Sequence, residues 1–126
     1  MATHEHKDVL TLSGPLLSST DPDRLTAWYR SVLEPLGARW EEHMLLIADG
    51  MYLGFDRRDD VADKTAEPGR TLLNFGVRDI RAAERHLNTL GVRWIRPVER
   101  TEWGWISTVE DPDGNYLQFV QGPDEN

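Results

Sequence analysis

Residues 113–119 read DGNYLQF and residues 49–55 read DGMYLGF, so five of the seven positions agree. A second pair of segments, LGARW at residues 36–40 and LGVRW at residues 90–94, agrees at four of five positions. The two matches come in the same order in each half of the chain. Two matches in register indicate that the chain contains a duplicated structural module.

Each half of the chain predicts one strand, one helix and three further strands. In the first half, the apolar run within residues 9–19 predicts a strand, and Asp21-Pro22 is typical of a helix start. In the second half, a strand at 71–77 precedes a helix that begins at Asp79. The later strands are predicted at 38–42, 44–48 and 51–56, and at 92–97, 103–110 and 115–121, with Asp49-Gly50 as a hairpin turn.

These patterns predict a single domain over residues 1–126. Module 1 covers about 9–56 and module 2 about 70–121. The segment between them, residues 57–69, is rich in charge and ends in Pro68-Gly69, which is typical of a solvated linker.

Composition excludes several classes of protein. The chain has 126 residues, no cysteine and a formal net charge of -8. Without cysteine there is no disulfide framework and no thiolate metal site. The negative charge argues against nucleic acid as a partner and mildly favours a cationic ligand. No apolar run suits a membrane span or a signal peptide, so we expect a cytoplasmic protein with no membrane partner.

Two motifs carry a resemblance to a known family: STDPDRLTAWY at residues 19–29 and DPDGNYLQFV at residues 111–120. Together with the doubled βαβββ order, they resemble the vicinal oxygen chelate superfamily, which includes glyoxalases, bleomycin-resistance proteins and extradiol dioxygenases. The resemblance covers residues 9–121. It implies an α+β fold in which two βαβββ modules form a cup-shaped, open mixed β-sheet barrel around a ligand, in many members as a homodimer.

Enzymes of this superfamily hold a divalent metal through His, Gln or Glu on the first and last strands of each module. The resemblance places those positions at Gly14, Gly54, Leu72 and Gln118. A single amide oxygen is too small a donor set for a catalytic divalent ion. We therefore expect no metal, no cofactor and no standard glyoxalase or dioxygenase activity, and the sequence assigns no catalytic residue.

Alternation along the strands indicates which side chains line the predicted cup. Residues such as Leu53, Phe75 and Phe119 fall on the helix side, and their neighbours fall on the cup side. The superfamily's drug-binding members have a similar Trp-Gly pair near Trp103, where a ring stacks on a flat ligand, but alternation does not decide whether Trp103 or Trp105 faces the cup. The predicted ligand-binding residues are Ser18, Tyr52, Asp56, Asn74, Glu102, Trp103, Trp105, Tyr116 and Gln118.

The preferred interpretation is a metal-independent binding protein that sequesters an aromatic or cationic organic molecule, as antibiotic-binding members of the superfamily do. One alternative is an enzyme of the lyase, isomerase or dioxygenase type with a non-standard or absent metal site. Another is a structural dimer with a vestigial cup. The expected partners are a small organic molecule and a second copy of the chain, and the sequence leaves open whether one chain or two complete the cup.

Overall fold

Strands and helices follow the order that the repeat predicts. The computed structural model describes residues 9–48 and 50–123, so Asp49 of the predicted Asp49-Gly50 turn lies outside the described residues. The first half contains β1 (Leu16–Ser19), α1 (Pro22–Leu33), a 3₁₀ turn (Glu34–Leu36), β2 (Arg39–Glu41), β3 (Met44–Ala48) and β4 (Met51–Arg57). The second half contains β5 (Leu73–Gly76), α2 (Ile80–Thr89), β6 (Arg93–Thr101), β7 (Gly104–Glu110) and β8 (Tyr116–Gln121).

The strands form two separate four-stranded sheets of the same topology. Sheet 1 has the order β1-β4-β3-β2, and sheet 2 has the order β5-β8-β7-β6. In each sheet the first strand pairs in parallel with the last strand of its module, and the other pairs are antiparallel. The α+β class with two βαβββ modules is therefore confirmed, and the two sheets do not close into a barrel.

Both helices begin at the aspartates that the sequence marks. The Asp21 carboxylate accepts the backbone N–H of Arg24 at 3.2 Å, and the Asp79 carboxylate accepts that of Ala82 at 3.1 Å. These bonds satisfy N–H groups that have no partner inside a helix. In the parts of the chain that the structure describes, neither helix is long and apolar enough to cross a membrane.

The two sheets face each other across the helices and share one core. Sheet 1 contributes Leu53 to this core, sheet 2 contributes Leu117, and the helices contribute Leu25 and Leu87 among others. Beyond the C-terminal end of α1, residues of β3 and β5 line one common cleft. Each sheet therefore buries its helix-facing side, and its other side, called the open face below, points away from the core. Both open faces therefore lie outside the shared core.

Two strands differ from their predicted lengths. β1 is short, and residues 9–15 before it form no regular strand, although the carbonyls of Ser13 and Pro15 still accept N–H groups of β4. β6 is long and runs to Thr101, whereas the sequence predicts a strand that ends at residue 97. That prediction was wrong because the ladder with β7 resumes after two irregularities and pairs Arg100 with Trp105.

Candidate ligand-binding site

A row of polar side chains crosses the open face of sheet 2. Asn74 on β5 lies beside Gln118 on β8, which lies beside Thr108 on β7. The Gln118 amide N–H donates to the Asn74 side-chain oxygen at 2.7 Å, and the Thr108 hydroxyl donates to the Gln118 oxygen at 3.5 Å. The row presents amide and hydroxyl groups in a fixed arrangement, and it carries no formal charge.

An apolar cavity of about 430 Å³ adjoins this row at the β6–β7 hairpin. Ile106 and Val120 line it, and each stands two residues from a member of the row, so they share the open face. Arg96 also lines the cavity, and its guanidinium forms an ion pair with Glu99. Apolar walls beside a few fixed polar groups are the usual composition of a site for an organic ligand.

Trp103 stands at the tip of the hairpin and is 80% exposed. The Thr101 hydroxyl holds the tip, because it accepts the Trp103 backbone N–H at 3.1 Å and donates to the Gly104 carbonyl at 2.9 Å. Gly104 has φ +124°, and a Cβ there would lie 2.3 Å from the Gln121 carbonyl oxygen. The tip is therefore held by its own hydrogen bonds, and it places an exposed ring at the edge of the cavity.

Trp105 lies on the opposite side of β7 from the polar row. Its alternation matches that of buried Val109, and the guanidinium groups of Arg81 and Arg100 lie 5.1 and 5.6 Å from its ring centroid. Because Arg81 belongs to α2, the Trp105 ring packs on the helix side of sheet 2. Trp105 also lines the cavity at the hairpin, so both tryptophans border it, although only Trp105 packs against α2.

The remaining predicted site residues do not gather at this cavity. Tyr116 lies two residues before Gln118 on the same open face, and Glu102 is exposed beside Trp103 at the hairpin tip. Tyr52, Ser18 and Asp56 belong to sheet 1. Ser18 lines a cavity with Lys64 and Asn115, and Asp56 lines a groove beside α1. The cavities that Ser18 and Asp56 line include none of the predicted residues of sheet 2.

Four positions correspond to the metal ligands of the superfamily's enzymes, and their side chains do not fit a metal. Gly14, Gly54 and Leu72 offer no side-chain donor, and the Gln118 oxygen already accepts the Thr108 hydroxyl. The space above Gly54 is also filled, because a Cβ there would lie 3.1 Å from the Leu16 side chain. Among the described residues, no three His, Cys, Asp or Glu side chains group together in a way that suits a metal ion.

Sequence reasoning missed two residues of the site, Thr108 and Ile106. Both lie on β7, and the sequence does not indicate which side chains of that strand are on the open face. The pairing of β7 with β8 places Ile106 and Thr108 on the open face, and no local signal in the sequence indicates this register.

Two βαβββ modules, each with its helix between the first two strands, define a protein of the vicinal oxygen chelate superfamily. The chain belongs to the family described as a glyoxalase-like domain, whose sequence profile matches residues 16–120. No curated protein matches the sequence.

Solved structures share this fold at low sequence identity. A glyoxylase/bleomycin resistance protein/dioxygenase domain from Frankia sp. EAN1pec is 20% identical, with a TM-score of 0.70 over 91% of this chain and 99% of that one. TnmS3, an antibiotic binding protein from Streptomyces sp. CB03234, is 19% identical, with a TM-score of 0.67 over 91% and 98%. The fosfomycin resistance protein FosX from Listeria monocytogenes is 18% identical, with a TM-score of 0.68 over 90% and 94%. At these identities the likeness shows the fold and not the ligand.

Proposed function

We propose that this protein binds and sequesters a flat aromatic or cationic organic molecule without the help of a metal. The observation that carries the proposal is the open face of sheet 2, where the Asn74–Gln118–Thr108 row adjoins the apolar cavity under Trp103. A planar ligand would stack on the Trp103 ring, which is worth about 0.5–2 kcal/mol. Its polar edge would exchange hydrogen bonds with the amides.

A role in antibiotic resistance is part of this proposal. Two proteins of the same fold are described as an antibiotic binding protein and a fosfomycin resistance protein. These relatives support the class of function only, because the identities are below 20%. The cytoplasmic location stays a prediction from the sequence.

A homodimer would complete the cup. Both sheets turn their helix sides into one shared core, so the proposal is that a cup that uses both open faces includes a second copy of the chain. The open face of sheet 1 would then bring Tyr52 opposite the polar row of the second copy. The N-terminal segment supports this arrangement, since exposed apolar side chains favour association, and four of them are Val9, Leu10, Leu12 and Leu16.

Light scattering after size-exclusion chromatography tests the dimer. We expect a mass of about twice the 14.4 kDa of the chain. Leu16→Glu should shift the protein toward the monomer, because Leu16 is 62% exposed on the open face of sheet 1 and pairs with Gly54 there. A monomer at all concentrations would contradict the proposal that two chains complete the cup.

A thermal-shift screen against aromatic natural products tests the binding function. A ligand that binds only the folded state raises the melting temperature. For each hit, Trp103→Ala should weaken binding about three- to tenfold and Trp103→Phe should largely restore it, because the stacking ring is what Phe retains. Gln118→Leu should weaken it independently.

The alternatives predict different results in the same experiment. If Trp103→Ala and Gln118→Leu both leave the affinity unchanged, the hit does not bind at the proposed site. Chemical conversion of a hit would favour the enzyme alternative. A protein that no compound stabilises would favour the structural dimer with a vestigial cup.

A further inference from the structure

The polar row on the open face of sheet 2 continues onto β6. Arg96 pairs with Thr108 in the β6–β7 register, so its side chain lies on the same face as Thr108 and the rest of the row. Arg96 also lines the cavity under Trp103. The row therefore crosses all four strands of the sheet, and on β6 it ends in a guanidinium beside the apolar walls of the cavity.

Irregular pairing around Pro97 brings a carboxylate to this guanidinium. Proline has no N–H for the strand ladder, and the β6–β7 register shifts between Trp94 and Arg96 and again between Arg96 and Glu99. In a regular strand, residues three apart lie on opposite faces. Because of the second shift, Glu99 pairs with Ile106 and shares the open face with Arg96. Bulges of this kind redirect side chains and are frequent beside functional sites.

The ion pair with Glu99 uses only part of the Arg96 guanidinium. The Nε atom contacts a carboxylate oxygen of Glu99, whereas a guanidinium has five N–H donors in a planar fork. The Arg96 and Glu99 side chains are 42% and 52% exposed, and an ion pair so open to solvent is weak. A carboxylate from a ligand can therefore bind the other donors of Arg96 or displace Glu99.

The described residues that line the cavity include one charged side chain, and it is a cation. Besides Arg96, the lining consists of hydroxyl, amide, indole and aliphatic groups and glycines. Glu99 and Glu102 lie outside it. The net charge of -8 acts at longer range, and salt at physiological concentration screens it beyond about 8 Å. A charged group that enters the cavity therefore meets a guanidinium at contact distance.

We propose that the ligand of this cavity is an aromatic acid and that Arg96 selects it. This inference rests on the binding function proposed above, and of the two ligand classes named there it chooses the aromatic one. The guanidinium fork would bind the ligand carboxylate through two parallel N–H···O bonds, which a lysine does not reproduce. The aromatic body would pack between the Trp103 ring and the apolar side chains of Ile106 and Val120.

Isothermal titration calorimetry with three ligands of similar shape tests the proposal. The ligands are the anion 2-naphthoate, the neutral 2-naphthamide and the cation 2-naphthylmethylammonium. We expect naphthoate to bind about tenfold more tightly than the amide, because the bidentate contact is charge-assisted only in the acid. The ammonium compound should bind most weakly, since its charge is repelled by Arg96.

Two glutamine substitutions on β6 should act in opposite directions. Arg96→Gln should weaken naphthoate binding about tenfold and change amide binding by less than about twofold, so that the preference for the acid disappears. Glu99→Gln should strengthen naphthoate binding about twofold to threefold, because it removes the carboxylate that competes for the guanidinium.

Two further variants separate the guanidinium fork from simple charge. Arg96→Lys keeps the charge and loses the fork, so its affinity for naphthoate should lie between those of the parent chain and Arg96→Gln. Arg93→Gln is the matched control. Arg93 is also on β6, pairs with Glu110 at 3.3 Å and lies outside the cavity lining, so naphthoate binding should not change.

The outcomes distinguish this inference from the binding function on which it rests. If naphthoate and the amide bind equally and both lose affinity in Trp103→Ala, the cavity binds aromatic molecules without the help of Arg96, and the inference is wrong. Tighter binding of the ammonium compound would contradict it as well. An equal loss in Arg96→Gln and Arg93→Gln would show that only overall charge is sensed. If naphthoate does not bind at all, the inference fails, and the wider thermal-shift screen still decides the binding function.

Discussion

The hydroxyl of Tyr29 in module 1 donates a hydrogen bond of 2.6 Å to the carboxylate of Asp111 in module 2. Tyr29 is fully buried, and Asp111 is 3% exposed. The same carboxylate accepts the backbone N–H groups of Asp113 and Asn115 and the side-chain amide of Asn115. A buried carboxylate with four donors fixes the β7–β8 turn, and the donor from Tyr29 ties that turn to the helix of the other module.

Tyr29→Phe should destabilise the protein by about 2 kcal/mol. The variant keeps the ring and its contact with Phe55, and it removes one donor from a buried charged acceptor, which costs about 1.5–3 kcal/mol. Tyr52→Phe is the matched control, because Tyr52 is partly exposed on a sheet face and the change should cost less than about 0.5 kcal/mol. Urea unfolding of the three proteins measures the difference. Equal stability of Tyr29→Phe and the parent chain would mean that the cross-module bond contributes nothing.

The stability of the protein should fall above pH 10, and Tyr29 should account for part of the fall. Burial, followed by the charge of Asp111, raises the pKa of Tyr29 well above its usual value of 10.0. Above pH 10 the unfolded chain loses the phenol proton while the folded chain keeps it, so the unfolded state is favoured by about 1.4 kcal/mol per pH unit. Below pH 10 both states keep the proton, and this contribution to stability is fully present.

Urea unfolding at pH 9, 10 and 11 measures this dependence in the parent chain and in Tyr29→Phe. The variant should lose less stability between pH 10 and 11 than the parent chain does, since one titrating group has been removed. Parallel curves for the two proteins would contradict the assignment of the effect to Tyr29.

Gly104→Ala should destabilise the protein by about 2–3 kcal/mol and disturb the position of Trp103. The added Cβ would meet the Gln121 carbonyl at 2.3 Å, and φ +124° is unfavourable for alanine. Gly76→Ala is the control, because a Cβ there meets no atom within 4 Å, and the change should be neutral or slightly stabilising. Thermal unfolding compares the two variants. A Gly104→Ala protein as stable as Gly76→Ala would show that the hairpin tip adapts freely.

Glu42→Gly should stabilise the protein by about 0.5–1 kcal/mol. Glu42 has φ +48°, which costs a residue with a side chain about 1–2 kcal/mol. Glycine removes this cost, but it also loses more backbone entropy on folding, which offsets part of the stabilisation. Glu41→Gly, one residue earlier in β2, should do the opposite, because that residue is in a strand and its side chain pairs with Arg39 at 2.6 Å. Melting temperatures that move in the same direction for both variants would exclude the backbone explanation.

Much of the candidate site was predictable from alternation. The sequence placed Asn74 and Gln118 on one face of sheet 2, and the register of β5 and β8 agrees with this. The sequence did not decide which of Trp103 and Trp105 is on the open face. The face of each β7 residue depends on where β6 ends and where the hairpin turn falls. Strand ends depend on how long a ladder with the neighbouring strand continues, and that information lies in another part of the chain.

The sequence by itself determined the repeated strand and helix order, the helix starts at Asp21 and Asp79, and the side chains that each sheet turns toward its helix. These features depend on local hydrogen bonds and on a period of two residues along a strand. Only the tertiary structure decided that the modules pack through their helix sides, with Tyr29 bonded to Asp111. Packing of this kind depends on contacts between residues far apart in the chain, and it turns the two open faces outward.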